Sequence, residues 1–225
     1  MDPRAGRYYD ELGMDYPASI RQLVPAYDDL TGTLAGLLAR AAPETILDVG
    51  CGEGTLTRRI LESVPGARIT AVDASASMLE TAGKRLEDMA ERVRLVRARL
   101  EEWRPDGPFE AAYSNLVLHN LARERKARVL VRIRESLLPG GIFLWGDLIR
   151  YEDEELQEHF VGLRIRHARE RGCDEELIRM NFEKEAEDDD PLTLPGMLEA
   201  ARGAGFSRAD PVWIRETFAL VRLKA

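Results

Sequence analysis

Cysteine is scarce in this chain: 225 residues contain two, Cys51 and Cys173. They stand in no CxxC or Cys/His spacing, which excludes a disulfide framework and a cysteine-built zinc site. Histidine is equally rare, with three residues; His159 and His167 fall in one helical stretch without a paired ligand motif, so no metal is expected. No run of 18 apolar residues occurs, and the stretch from Met1 to Pro17 has neither the basic flank nor the apolar core of a signal peptide. A cytoplasmic protein that does not meet a membrane is the expectation.

Positive charge is also in deficit, with 32 Lys and Arg against 40 Asp and Glu and a formal net charge of −8. The deficit is local, because residues 151–190 hold 15 acidic and 6 basic side chains and the rest is close to neutral. A nucleic-acid partner calls for basic stripes with exposed aromatics. An acidic segment repels phosphate backbones, so a small, neutral or cationic partner is favoured. Monomer and homodimer are equally open.

What is present is alternation. Short β-rich runs at Thr45 to Val49, Arg68 to Val72, Val93 to Ala98, Ala111 to Leu116 and Gly141 to Ile149 are separated by helical patterns over about 54–64, 75–90 and 123–138. That order implies an α/β fold with a parallel sheet covered on both faces. Ser75 stands at an N-cap position, and Leu138-Pro139-Gly140-Gly141 reads as a helix-ending turn. PVWI and TFALVRL near the C-terminus suggest an antiparallel pair closing the sheet. Between Tyr151 and Asp190, Leu156, Phe160 and Leu163, then Leu177, Ile178 and Phe182, recur at helical spacing. The segment reads either as a solvated acidic helical pair or as a lid over the sheet's carboxyl edge. One domain over 1–225 follows: a helical cover (1–42), a core (43–149), the acidic insertion (150–191), and a helix with closing strands (192–225).

The stretch ILDVGCGEGTL, Ile46 to Leu56, puts three glycines directly behind the first strand. Glycine removes the Cβ that would keep a ligand from the backbone, and ligands of open α/β sheets bind at the carboxyl ends of strands. Asp73, at the tip of the second strand, stands where a carboxylate accepts bonds from both hydroxyls of a ribose. The dinucleotide fingerprint is GxGxxG, whereas this loop is GxGxG, with Glu53 inside it and Asp48 just before it. Those carboxylates repel a pyrophosphate and suit a ligand carrying an ammonium and a sulfonium.

ILDVGCGEGTL and TAVDASASML (Thr70 to Leu79) resemble the first two motifs of class I S-adenosylmethionine-dependent methyltransferases. FEAAYSNLVLHNL (Phe109 to Leu121) resembles the fourth-strand motif, and LLPGGIFLWGD (Leu137 to Asp147) the segment into the fifth strand. The resemblance implies a Rossmann-like seven-stranded, mainly parallel sheet with helices on both faces, an antiparallel C-terminal strand and a helical lid insertion. It implies S-adenosyl-L-methionine as cofactor and methyl transfer to a small-molecule acceptor. By the same resemblance, Asp48 and Gly50 underlie the methionyl end, Gly52 and Gly54 make the close turn, and Cys51 between them binds the cofactor. Asp73 holds the ribose, Ala74 and Met78 line the adenine pocket, and Asn115 and Leu116 offer backbone to the methionyl amine. Arg99 falls where the family often has an acid for the adenine amino group. Arginine only donates, so Glu101 or the backbone around Leu100 would take that role, with Trp103 either stacking on adenine or packing at a loop.

His119, just beyond the fourth strand, is a candidate base or a packed histidine, and Asp147 is a candidate substrate contact. Tyr8, Tyr9 and Tyr27 belong to a segment that folds over the cofactor in the enzymes resembled, or they pack helices. A second resemblance, in VPAYDDL and the insertion, is to carboxy-S-adenosylmethionine synthases, which act in tRNA modification. For that group an Arg is expected before the final hairpin; Glu199 and Ala200 stand near that place, with Arg202 slightly later. A non-catalytic S-adenosylmethionine-binding protein and an NAD-dependent oxidoreductase complete the alternatives.

Overall fold

The computed structural model describes residues 16–225, with side chains from Ala18 onward. Seven strands form one sheet in the order β3-β2-β1-β4-β5-β7-β6: β1 Thr45–Val49, β2 Arg68–Asp73, β3 Val93–Arg97, β4 Phe109–Asn115, β5 Leu137–Leu148, β6 Arg208–Arg215 and β7 Phe218–Lys224. Strands β1 to β5 run parallel, and β7 lies antiparallel between β5 and β6. The interior strand β1, TILDV, is buried from Ile46 to Val49, because a parallel strand covered on both faces has no solvent side to alternate with. Asp48 is its one polar interruption.

The helices are α1 Tyr16–Leu23, α2 Tyr27–Ala41, α3 Thr55–Ser63, α4 Ala76–Arg85, α5 Arg123–Ser136, α6 Glu154–Glu170, α7 Glu175–Glu187 and α8 Leu194–Gly203. Leu30, Leu34 and Leu38 of α2 join Ile60 and Leu61 of α3 in the core on one face of the sheet. Val129, Leu130 and Ile133 of α5 join Met197 and Ala201 of α8 on the other. Helix starts follow local chemistry: Ser75, Asp153, Asp174 and Thr193 each accept a backbone N–H of the helix they open, which satisfies donors with no intrahelical partner.

Two boundaries differ by more than three residues from the sequence reading. Helix α4 stops at Arg85 rather than near residue 90, and a 3₁₀ turn over Glu87–Arg92 follows. There Arg58 donates Nη1 to the Arg85 carbonyl at 2.8 Å, so a side chain satisfies an acceptor that a longer helix would have used. Strand β5 begins at Leu137, paired with Phe109, and a register shift between Phe109 and Ala111 accommodates Pro139 and the following glycines. The pyrrolidine nitrogen cannot donate to a ladder, and a bulge is where a sheet tolerates it.

The insertion forms two helices whose inner side meets α1, through Leu23, Ala168, Cys173 and Ile178. Its lock on the sheet is Arg164 of α6, 2% exposed. Both Nη atoms donate to Glu185 of α7, at 2.7 and 2.8 Å, and the guanidinium lies 4.9 Å from the Phe182 ring centroid and 4.7 Å from that of Phe218. Planar, weakly hydrated arginine suits such a sandwich where lysine does not. Breaking a buried ion pair from one side leaves the other charge uncompensated. Glu185→Ala is therefore expected to lower unfolding free energy by about 3 kcal/mol, read from the urea midpoint; a change within 0.5 kcal/mol, the usual range for surface substitutions, would reject the lock.

Candidate active site

The chain leaves β1 for β2 on one side and returns through β4 on the other, so strand order reverses between β1 and β4 and a crevice opens at their carboxyl ends. The glycine loop enters that crevice. Gly50 and Cys51 donate their N–H groups to the Val72 carbonyl at 2.8 and 3.0 Å, suspending the loop from β2. Gly50 has φ 82°, and a Cβ there would come within 2.5 Å of both γ-carbons of Val117. Gly52 has φ 53°, and a Cβ there would meet nothing within 4 Å among the described residues, so its missing side chain keeps the crevice open. Gly54 lies off the crevice, as the left-handed cap of α3 against Ala82 and Leu86.

Asp73 ends β2 with both oxygens engaged. Oδ2 accepts Gly52 N–H at 2.9 Å and Oδ1 accepts Ser75 N–H at 2.8 Å, and burial raises its pKa despite those bonds. Asp48, 2% exposed, accepts Thr57 Oγ1–H at 2.6 Å and the Tyr113 hydroxyl on the same oxygen. Burial pushes its pKa up to about 7, with Thr57 and Tyr113 opposing the shift. Burial, then the charges of Asp48 and Asp73, raise the Cys51 thiol, so it stays protonated. Glu53 is turned sideways, accepting Thr55 Oγ1–H at 2.9 Å and pairing with Arg85. At the end of β4, Leu116 takes φ 57°, a strained conformation for a residue with a Cβ, and the buried Asn115 Oδ1 has no hydrogen-bond partner among the described residues.

These residues enclose a cavity of about 380 Å³. One wall is Asp48, Gly50, Cys51, Gly52, Glu53, Asp73, Ala74, Ser75 and Met78; the other is Tyr113, Asn115, Leu116, Val117 and Asn120. Tyr27 closes it from α2, and Leu100, Glu101, Arg125 and Asp188 at the rim. Burial and then the Glu53 charge raise the Tyr27 phenol to about 12. Tyr8 and Tyr9 lie outside the described residues.

Arg99 is off the wall, exposed and paired with Glu101 at 3.5 Å and Glu102 at 3.7 Å; Leu100 and Glu101 stand there instead. Trp103 packs against the core on the α5 side. The structure brings His119 and Asp147 together, away from this cavity's wall. The His119 Nδ1 lies 2.6 Å from Asp147 Oδ1, and Asp147 also accepts Trp145 Nε1–H at 2.9 Å and Leu148 N–H at 3.1 Å. In this geometry both are anchors behind the wall rather than groups on it. Arg202 is exposed and absent from the wall too. Tyr113 was missed although legible: it precedes Asn115 by two on one strand and so shares its face. Asn120, Arg125 and Asp188 carry no local signal, and only the fold brings them here.

A seven-stranded sheet of this order, with a glycine loop after β1 and a carboxylate at the tip of β2, defines the class I methyltransferase architecture. The family described as "Methyltransferase domain" matches residues 46–141. Carboxy-S-adenosyl-L-methionine synthase of Pseudomonas putida is 32% identical over 206 residues, covering 87% of this chain and 83% of that protein. Among solved structures, the complex described as DhpI-SAM-HEP aligns with a TM-score of 0.66 at 18% identity, covering 99% of this chain and 96% of that one. A Burkholderia thailandensis 1,6-didemethyltoxoflavin-N1-methyltransferase with S-adenosylhomocysteine aligns with a TM-score of 0.62 at 20% identity, covering 93% and 88%. The chain belongs to the class I S-adenosylmethionine-dependent methyltransferase family, and S-adenosylmethionine is its cofactor.

The raised Asp48 pKa has a stability consequence. Between the ordinary 3.8 and about 7 the folded chain keeps a proton that the unfolded chain has released, so this group makes stability fall as pH rises through that window. Asp48→Asn is expected to remove that decline; urea midpoints that track the parent's across the window would contradict it.

Proposed function

We propose that the chain transfers the methyl group of S-adenosylmethionine to a small-molecule acceptor. The observation that carries this reading is one cavity of about 380 Å³ that includes Asp48 and Gly50 at the tip of β1 and Asp73 at the tip of β2, a size typical of sites of about 300–1,000 Å³. The lining suits the cofactor: two carboxylates for a cationic methionyl end and a ribose, an open glycine at Gly52, and an unpartnered acceptor at Asn115. Asp73 would hold the ribose hydroxyls, Ala74 and Met78 the adenine face, and Leu100 with Glu101 the adenine edge. Asp48, Gly50, Asn115 and Leu116 would bound the methionyl end. The cofactor supplies a methyl on a sulfonium that leaves as a neutral thioether, so the protein's part is alignment and exclusion of water. Helices α6 and α7 serve as the lid, with Asp188 at the rim.

A second reading, formation of a carboxylated S-adenosylmethionine, draws support from the sequence relatives. An added carboxylate beside the sulfonium needs a cation at the methionyl end. Among the described residues the one cationic side chain on the cavity wall is Arg125, which pairs with Glu101 at 3.3 Å, at the far rim. Lys184 stands behind Asn120 and pairs with Asp189 at 2.6 Å. That distribution favours methyl transfer. Mass spectrometry of the nucleoside released after turnover separates the two: S-adenosylhomocysteine is expected, and a carboxylated S-adenosylmethionine would reverse the choice.

Calorimetric titration tests the site itself. S-adenosylmethionine and S-adenosylhomocysteine should bind and NAD should not, and Asp73→Ala should weaken the adenosyl ligands by about 1–3 kcal/mol through lost charge-assisted bonds. Unchanged affinity in the folded variant would remove Asp73 from the ribose.

A further inference from the structure

A second cavity, of about 50 Å³, lies beneath the helical pair. Its floor is the sheet edge at Leu116, Leu148 and Phe218, and its walls include Ser19 of α1, Arg164 of α6, Lys184 and Glu185 of α7, and His119 and Asp189. Leu116 lines both cavities, so the two adjoin across one side chain. Resting on the methyl-transfer reading above, we infer that this smaller cavity receives the polar head of the acceptor, and that the head is uncharged and presents a hydrogen-bond-accepting oxygen, as a carboxamide or ketone does.

Three observations carry this. Arg164 spends both Nη groups on Glu185, yet its buried Nε has no partner among the described residues; a buried N–H without an acceptor is a site awaiting an oxygen. The charged side chains on its walls are already matched, because Arg164 pairs with Glu185 and Lys184 with Asp189. An anion entering would meet the carboxylates of Glu185 and Asp189, and a cation would meet Arg164 and Lys184, so a neutral group enters at least cost. The volume holds roughly four waters at about 10–15 Å³ of probe-occupied volume each, which matches a head group rather than a whole substrate. The rest of the acceptor would then extend past Leu116 toward the cofactor cavity.

The Arg164 Nε–H cross-peak in a ¹⁵N-labelled protein reports directly on this donor. It is assigned by its disappearance in Arg164→Lys or, if that variant does not fold, by side-chain connectivities in the parent. Acetamide, acetate and methylammonium serve as probes, each titrated with and without saturating S-adenosylhomocysteine. Acetamide should move the peak saturably and the two ions should not. Ser19→Leu, which fills the cavity from α1, should abolish the response while S-adenosylhomocysteine affinity stays unchanged. A peak that acetamide leaves in place, that acetate moves further, or that still responds in Ser19→Leu overturns the inference. Failure of S-adenosylhomocysteine to bind is a separate result: it rejects the methyl-transfer reading and the acceptor's identity as occupant, whatever the peak does.

Discussion

The site is organised around a carboxylate buried near the end of β1, inside the sheet. Asp48 reaches α3 through Thr57 and β4 through Tyr113, so one side chain ties the glycine-loop helix and the returning strand across the crevice. Two hydrogen bonds favour its ionised form and burial opposes it; a pKa near 7 means that burial wins. A group kept in that balance is poorly explained as scaffolding, since an apolar residue would fill an interior strand at lower cost. It makes sense where a positive ligand arrives to tip the balance. Backbone strain gathers at the same place, with Leu116 in the left-handed region and Gly50 against Val117, as is common where geometry serves binding before stability.

A second polar layer connects the insertion to this crevice. Lys126 of α5 is buried and donates to the Asp190 carbonyl, and Asp190 N–H donates to the His119 carbonyl at 2.8 Å. Asn120 accepts from Lys184 at 2.8 Å and stands 3.1 Å from His119 Nε2. The stretch that follows α7 is thus held against the turn after β4, which brings Asp188 to the cavity rim. Burial lowers the Lys126 pKa while Asp147 and Asp190 support its charge. His119 and Asp147 belong to this layer, both buried and well bonded, and His119 also borders the smaller cavity.

Much of this was legible in the residues. An apolar run ending in glycines forces a parallel strand followed by a loop without side chains, and Asp73 at the next strand tip follows from spacing alone. The continuous patterns of β1, β2 and β4 placed those strands to within a residue or two. Roles set by distant partners were not legible. Glu53 reads as a ligand carboxylate until Arg85, far along the chain, is seen to hold it. Arg99 and Glu101 fall in the irregular turn after β3, where no strand or helix period says which of them turns inward. Arg164 looks like one more charge on an acidic helix, because the rings that sandwich it come from α7 and β7.

The uneven placement of acid also has a kinetic side. At neutral pH S-adenosylmethionine carries one net positive charge and S-adenosylhomocysteine none. The acidic surplus of residues 151–190 sits on the segment that carries Asp188 to the cavity, and a negative potential there speeds encounter with the cation and leaves the neutral product indifferent. The cofactor and its spent form therefore differ in arrival rate before either touches the pocket. That difference fades as added salt shortens the Debye length below about 10 Å, so exchange of product for fresh cofactor is set partly by a surface that contacts neither.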